Sequence, residues 1–268
     1  MRRLATLELG VPMELLLVDD GSDDQTAQKL AELEPEFGVL RVLRHKVNRG
    51  YGAALKTGFS AAKNEIVVFT DADGTYPEDR IVDLLACIDD GASMAVGARI
   101  GADVNIPMIR KPAKAFLKWL AQFLVGQPIP DLNSGLRAIR RSLVLRFRPI
   151  LPDGFSFTTT ITLASMKNDE RVDYVSIDYA KRKGESKIKP IRDTLGFASL
   201  IIRTVLYFNP LKVFFPVAFV VGLVFLVFLI MDVLERNLGE RTILMFVAFV
   251  QILTVGLLAD LIDKRSRM

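Results

Sequence analysis

The sequence predicts an α/β domain built on a mainly parallel sheet, followed by two membrane-spanning helices. Three observations carry this. Through roughly the first two-thirds of the 268 residues, short apolar runs alternate with segments of helical period, the pattern of successive βαβ units. The carboxylates Asp19, Asp20, Asp71 and Asp73 fall at the ends of such runs, where open α/β sheets bind their ligands. Beyond Asn209, residues 213–231 and 242–259 hold no Asp, Glu, Lys or Arg, and a helix crossing a bilayer needs about 20 apolar residues.

The elements follow in order. Residues 14–18 are expected as a strand running into Asp19, Asp20 and Gly21, and residues 24–33 as a helix capped by Ser22 or Asp23. Residues 39–43 supply a second strand, and residues 48–52 a glycine turn into a helix over 53–62. A third strand, 65–70, ends on Asp71, Ala72 and Asp73; Pro77 opens a helix to about residue 88, and 93–97 is a fourth strand. Between residues 114 and 124, Phe116, Trp119 and Phe123 share one helical face, which either packs in the core or leans on the membrane. A proline turn at 128–130 leads into the polar stretch 131–137, and a basic, glycine-containing stretch occupies 181–187. Residues 190–209 mix apolar residues with Arg192 and Arg203, as in a helix lying on the cytosolic leaflet. The resulting division is a globular domain over 1–189, an interfacial amphipathic helix over 190–209, and a transmembrane hairpin with a basic cytosolic tail over 210–268.

Composition narrows the function. A hydrophobic fraction of 50% fills a core and leaves apolar segments over. The net charge of +4 gathers at 181–192 and 264–267, beside the apolar segments, a membrane-flank pattern that argues against nucleic acid. Cys87, the single cysteine, excludes an intrachain disulfide and reads as a small core residue. His45, the single histidine, leaves no multi-histidine metal site, weighs against a histidine-centred triad and reads as a polar residue at a strand end. Residues 1–10 hold two arginines and no apolar h-region, so the globular part is expected to stay cytosolic, with an outward loop around 235–240.

Chemistry concentrates in Asp71-Ala72-Asp73. Two carboxylates one residue apart at a strand end offer oxygen ligands to Mg²⁺ or Mn²⁺ and leave positions open for phosphate oxygens. Asp19 and Asp20 suit either capping or hydrogen bonding to a base or ribose. The 48–52 turn is either a feed into its helix or a donor contact, and the basic stretch 181–189 is either a positive flank or an active-site loop.

Taken in register, Val18-Asp-Asp-Gly-Ser-Asp-Asp24, Asn48-Arg-Gly-Tyr-Gly-Ala-Ala54, Thr70-Asp-Ala-Asp-Gly-Thr-Tyr-Pro77, Asp131-Leu-Asn-Ser-Gly-Leu-Arg137 and Arg182-Lys-Gly-Glu-Ser-Lys187 resemble family 2 glycosyltransferases. The nearest look is to the polyprenyl-phosphate sugar transferases, the dolichol-phosphate mannosyltransferase-like branch. The resemblance implies a GT-A fold and an inverting in-line displacement at an anomeric carbon. It assigns Asp19 and Asp20 to the nucleoside, Asp71, Ala72 and Asp73 to the diphosphate, Asp71 and Asp73 to the metal, and Arg99 to the donor phosphates. Asp73 and Asp131 become the catalytic carboxylates; Ser134 and Arg137 fall in the acceptor pocket, and Arg182, Ser186 and Lys187 in a loop closing over phosphate. The implied partners are a nucleotide-sugar donor, a polyprenyl phosphate such as a dolichyl or undecaprenyl phosphate, and the membrane. A lipid phosphate is already anionic, so its site needs arginines to hold it more than a base, and Asp131 then orients groups.

Two departures from the family pattern stand out. The chain starts after the usual first strand and its Pro-x-Tyr-Asn-Glu-like end, as a fragment or a late start would, so the sheet is expected to lack a strand and part of the base pocket. Thr75 stands where the family has Gln. The alternatives are a catalytically inactive membrane-anchored scaffold and a processive polysaccharide synthase; the latter normally carries a Gln-x-x-Arg-Trp-like motif, which this sequence lacks. The motifs leave the sugar, the nucleotide and the oligomeric state open.

Overall fold

A computed structural model describes residues 9–100, 111–154, 156–180 and 209–266, with isolated positions 4, 7, 199, 201–203, 206 and 207. Most of the expected interfacial helix, 190–209, therefore lies outside the described residues.

Six strands alternate with helices: β1 Leu15–Asp19, α1 Thr26–Leu33, β2 Leu40–Arg44, α2 Tyr51–Ala61, β3 Ile66–Phe69, α3 Ile81–Asp89, β4 Met94–Ala98, α4 Lys111–Val125, β5 Arg137–Arg140, α5 Arg141–Phe147, α6 Phe157–Lys167 and β6 Val172–Ser176. The long helices α7 Leu211–Leu234 and α8 Glu240–Ser266 follow. The strands form two sheets. β1 and β2 pair in parallel, and a second sheet has the order β3-β5-β4-β6. Within it β4 and β6 are parallel, while β5 runs against both β3 and β4. The register puts Arg137, the first residue of β5, opposite both Phe69 and Val96.

Period-two alternation divides this second sheet between two cores. Met94, Val96, Ile139, Val67 and Phe69 point to one side, where they meet α5 and α6 through Leu143, Val144, Phe157 and Ile161. Ala95, Ala138, Leu136, Ile66 and Val68 point to the other, against Ile81, Leu84 and Ile88 of α3. These α3 positions are spaced three and four apart, the stripe a surface helix needs. A third cluster joins Ala121 and Val125 of α4 to Leu163 and Met166 of α6, to Ile201 and to Val213 at the start of α7.

Several local expectations change. Neither Ser22 nor Asp23 caps α1; the Ser22 hydroxyl turns back to Asp19 Oδ1 at 2.6 Å, and the Thr26 amide is instead taken by Asp24 Oδ1 at 2.8 Å. The Pro77 helix begins as a single 3₁₀ turn, Glu78–Arg80, before α3 proper. The aromatic face of α4 is not core: Phe116, Trp119 and Phe123 are 49%, 57% and 49% exposed. β5, α5, α6 and β6 have no counterpart in the sequence-based layout. α6 is buried along ten consecutive residues, five of them Thr or Ser (Thr158, Thr159, Thr160, Thr162 and Ser165), so its polarity hides its burial; Thr162 and Ser165 return their hydroxyls to the Thr158 and Ile161 carbonyls.

α7 and α8 have 24 and 27 residues, about 1.5 Å of rise each, enough to cross the roughly 30 Å hydrocarbon core. Almost nothing in the protein covers them, with 6% and 11% of their most apolar windows buried, so they are not core helices of a soluble domain. Asp232 ties the turn between them, accepting the Gly239 amide at 2.7 Å and Arg241 Nη2 at 3.0 Å, together with the Thr242 hydroxyl.

Phe157 is fully buried, stacked on Phe59 at 6.3 Å and edge-on to Phe69 at 6.4 Å. Phe157→Ala removes the ring that joins α2, β3 and α6, and is expected to cost about 3–5 kcal/mol, read as a lowered denaturation midpoint of the full chain in detergent.

Candidate active site

The site forms where strands end. Because β5 runs opposite to β3 and β4, the loop that leads into it lies at the edge where those two strands finish: the Gly97 amide donates to the Leu136 carbonyl at 2.9 Å. The segment after β6 crosses the same edge, with the Ile177 amide on the Ala98 carbonyl at 2.9 Å and the Ala180 amide on the Thr75 carbonyl at 3.0 Å. Residues 71–76, 99, 131–137 and 177–180 therefore share one rim.

At that rim Asp71 is the meeting point. Its carboxylate lies against the Cα of Gly135, where a Cβ would come within 2.8 Å of Oδ2, and it accepts the hydroxyl of Tyr51, the first residue of α2. Burial, and then the neighbouring Asp71 charge, raise the Tyr51 phenol well above its ordinary range, so it stays protonated as a donor. Asp73 closes a local turn, its Oδ1 accepting the Thr75 amide at 3.1 Å and hydroxyl at 2.6 Å, while Ala72 at the tip is exposed. Among the described residues no cluster of three or more Asp, Glu, His or Cys could enclose a metal ion. Two oxygen donors with the rest supplied by a bound diphosphate and water suit Mg²⁺ or Mn²⁺, ions that keep substrate oxygens and waters in their shell, so Asp71 and Asp73 fit the expected cation.

A second group surrounds Asp131. Arg99 grips it with two bonds, Nε to Oδ2 at 2.7 Å and Nη2 to Oδ1 at 2.9 Å; the Arg99 amide adds a third at 3.2 Å, and the Asn133 amide a fourth at 3.1 Å. Burial alone would raise this carboxyl, but the Arg99 guanidinium outweighs it and holds Asp131 down to about 2. A carboxylate this acidic is a poor proton acceptor near neutrality. Arg99 also lies over the Tyr179 ring at 5.3 Å, and Tyr179 meets Tyr76 edge-on at 5.1 Å. The Tyr76 hydroxyl accepts the Gly135 amide at 2.6 Å, which fixes the loop carrying Asp131.

Three assigned residues are buried. Asp19 is 4% exposed, with Oδ1 on Ser22 and Oδ2 3.2 Å from Arg44 Nε, so it closes its own turn. Arg137 and Ser134, which the resemblance places in the acceptor pocket, are fully buried. The Arg137 guanidinium donates to the Ser134 and Leu132 carbonyls at 2.9 and 3.0 Å and to the Thr162 hydroxyl at 2.6 Å. It binds the 131–137 loop to α6, and burial works against its charge. Arg182, Ser186 and Lys187 lie outside the described residues.

Asp20 accepts from His45 Nδ1 at 2.6 Å, the Arg49 amide at 3.0 Å and the Gly50 amide at 2.7 Å. Burial pulls its carboxyl upward, but the His45 hydrogen bond and the two amides bring it below its ordinary value. His45 continues to Thr57 Oγ1 at 2.8 Å and is 8% exposed. The single histidine is thus a tie between the ends of β1 and β2 and helix α2. Gly52 fits this junction because a Cβ there would stand 2.2 Å from the Pro152 carbonyl oxygen. The sequence reading did not single out Tyr51 and Tyr76, and it took His45 only as a polar residue at a strand end. Tyr51 follows the glycine turn and Tyr76 the acidic pair, and that adjacency is the signal that marks them.

An α/β domain with acidic loops at its strand ends and a C-terminal membrane hairpin is the class these features define. Residues 6–147 match the family described as Glycosyl transferase family 2, and residues 209–264 match the GtrB C-terminal hairpin. The chain belongs to glycosyl transferase family 2: it is a glycosyltransferase of GT-A fold, anchored to a membrane by its hairpin. It is 31% identical to the dolichyl-phosphate hexose transferase of Haloferax volcanii over 70% of this chain and 79% of the relative. It is also 31% identical to the polyprenol monophosphomannose synthase of Mycolicibacterium smegmatis, over 66% of this chain and 70% of that one. Among solved structures it is similar to glucosyl-3-phosphoglycerate synthase from Mycobacterium tuberculosis in complex with Mn²⁺, UDP and glucosyl-3-phosphoglycerate. The TM-score is 0.51 and the identity 21%, over 72% of this chain and 67% of that chain; this likeness bears on the fold.

Two outcomes follow from the geometry. Asp131→Asn leaves the largely buried Arg99 charge without its partner and is expected to cost about 3 kcal/mol. Because the folded-state carboxyl lies below its ordinary 3.8, the stabilisation it gives is complete above that value and is lost as pH falls from 3.8 towards about 2; acid titrations of stability should therefore show wild type and Asp131→Asn converging over that interval. Gly135→Ala presses a methyl into the Asp71 carboxylate, so transfer activity should fall at least tenfold, about 1.4 kcal/mol in the barrier, with little change in the far-ultraviolet circular dichroism of the purified protein.

Proposed function

We propose that the protein transfers a sugar from a nucleotide-sugar donor to a polyprenyl phosphate at the cytosolic face of the membrane, with inversion. The carrying observation is that Asp71 touches Gly135, which puts the acidic pair beside the 131–137 loop on a domain tied to a membrane hairpin. The names of the two relatives, both transferases to or of polyprenyl-phosphate sugars, support a lipid-phosphate acceptor. In this reading an oxygen of the lipid phosphate attacks the anomeric carbon, the bond from that carbon to the donor's diphosphate breaks, and the nucleoside diphosphate departs.

The residues divide the work by charge. Asp71 and Asp73 hold Mg²⁺ or Mn²⁺, which when bound supplies positive charge against the departing diphosphate. Tyr51 donates to Asp71 and orients it. Asp20 acts on the nucleoside side by fixing the 48–52 turn, and Ala72 exposes the backbone at the tip. A phosphate nucleophile carries its own negative charge, so Asp131, acidic and locked to Arg99, positions that arginine near the donor phosphates and takes no proton. Arg182, Ser186 and Lys187 follow in sequence after Ala180, which is bonded to Thr75 beside the acidic pair; they are the acceptor-phosphate contacts of this reading. Buried Arg137 and Ser134 shape the loop from behind. Basic residues Lys264 and Arg265 after the second span, against the mixed charges of Glu235, Arg236 and Glu240 between the spans, favour a cytosolic domain and tail.

The full chain, assayed in membranes with radiolabelled nucleotide sugars, should form a lipid-extractable product only when polyprenyl phosphate is added. Asp71→Asn, or EDTA with the wild type, should reduce this transfer by more than a hundredfold. Equal transfer to a soluble sugar would remove the lipid half of the proposal, and full activity in EDTA would remove the metal.

A further inference from the structure

Helix α4 carries apolar residues on two sides. Leu117, Leu120, Ala121 and Val125 face inward, into the cluster shared with α6, Ile201 and Val213. The opposite stripe is aromatic and outward: Phe116, Trp119 and Phe123 are 49%, 57% and 49% exposed, with Trp119 stacked on Phe123 at 5.6 Å and 6.1 Å from Phe116. A shallow groove beside them is lined by Trp119, Gln122, Phe123 and Gly126. A helix of a soluble domain buries one stripe and leaves the other polar; three ordered aromatics on the outer stripe mark a contact surface.

The position of α4 decides which contact. Its C-terminal end is joined to the beginning of the first membrane helix: Lys212 Nζ of α7 lies 3.4 Å from the Phe123 carbonyl oxygen, and Val213 packs in the same cluster as Val125. Tyr207, just ahead of α7, is likewise exposed. The aromatic stripe is therefore continuous with the place where the chain enters the hydrocarbon. Aromatic rings, tryptophan above all, favour the headgroup boundary, and Lys118, exposed on α4 and 3.2 Å from the Pro130 carbonyl, offers a cation at the same level.

We infer that α4 is a membrane-contacting helix: Phe116, Trp119 and Phe123 insert into the headgroup region of the leaflet that α7 enters. This gives the catalytic domain a second attachment besides the hairpin and fixes its tilt. The inference rests on the hairpin spanning a bilayer and is independent of the identity of the donor and acceptor.

Trp119 is the single tryptophan, so its emission reports this surface without a label. The full chain is reconstituted into vesicles of phosphatidylcholine and phosphatidylglycerol, with and without lipids bearing a nitroxide close to the acyl carbonyl. A Trp119→Phe, Phe219→Trp variant serves as the reference, because Phe219 is 57% exposed within α7. Expected is blue-shifted emission from Trp119, at least halved by the nitroxide lipids and shielded from aqueous iodide, with Phe116→Ala plus Phe123→Ala moving it towards the aqueous value. Emission quenched by iodide and untouched by the nitroxide, while the Phe219→Trp reference is quenched by lipid, overturns the inference and leaves the hairpin standing. Emission shielded from both quenchers also overturns it, in favour of a protein cover. A reference residue that is itself not quenched by lipid overturns the hairpin reading and this inference together.

Discussion

The antiparallel strand β5 is the constraint on which the site depends. Had the strand that lies between β3 and β4 in the sheet run parallel to them, the loop leading into it would have fallen at the opposite edge. Running backwards between them, β5 brings its leading loop to the edge where its neighbours finish, so residues far apart in sequence meet at Asp71 and Gly135. The absence of a Cβ at Gly135 is what allows the contact, since the carboxylate occupies that space.

Behind this rim the protein buries polar groups, several of them in one network, while the Thr160 and Tyr174 hydroxyls are buried without a hydrogen-bond partner among the described residues. Arg137 places a guanidinium in the interior and answers it with carbonyls and the Thr162 hydroxyl, so α6 needs threonines where an ordinary core helix would use leucines. Such networks are costly when partly satisfied and rigid when complete. Arg99 and Asp131 follow the same logic with opposite charges, and Tyr76 links the two groups through the Gly135 amide. The result is a stiff loop whose groups keep their orientation without help from a ligand, the preorganisation that electrostatic catalysis calls for.

The membrane part is simpler physically. Apolar helices of sufficient length need little specific packing to be stable in lipid. Their joint to the domain carries the information: Val213 packs in the third core and Lys212 lies against α4.

Much of this was legible in the sequence. The alternation of apolar runs located β1 to β4 and their helices to within a few residues, because the strands read as short apolar runs, two of them, β1 and β3, with aspartates at their ends. The spans were evident from the lack of charge over 213–231 and 242–259. The acidic pair at 71–73 and the polar stretch 131–137 stood out as motifs. What the sequence could not decide was which motif residues face outward. Arg137 and Asp19 have the composition of ligand contacts, yet their side chains turn inward to close loops, and α6 and β5 are too polar to announce burial. His45 looked incidental because its role is to join Asp20 to Thr57, partners separated from it by 25 and 12 positions. Periodicity and turn chemistry are local and so can be read along the chain; the direction of a polar side chain is set by whichever distant group can satisfy it, and only the tertiary structure brings that group near.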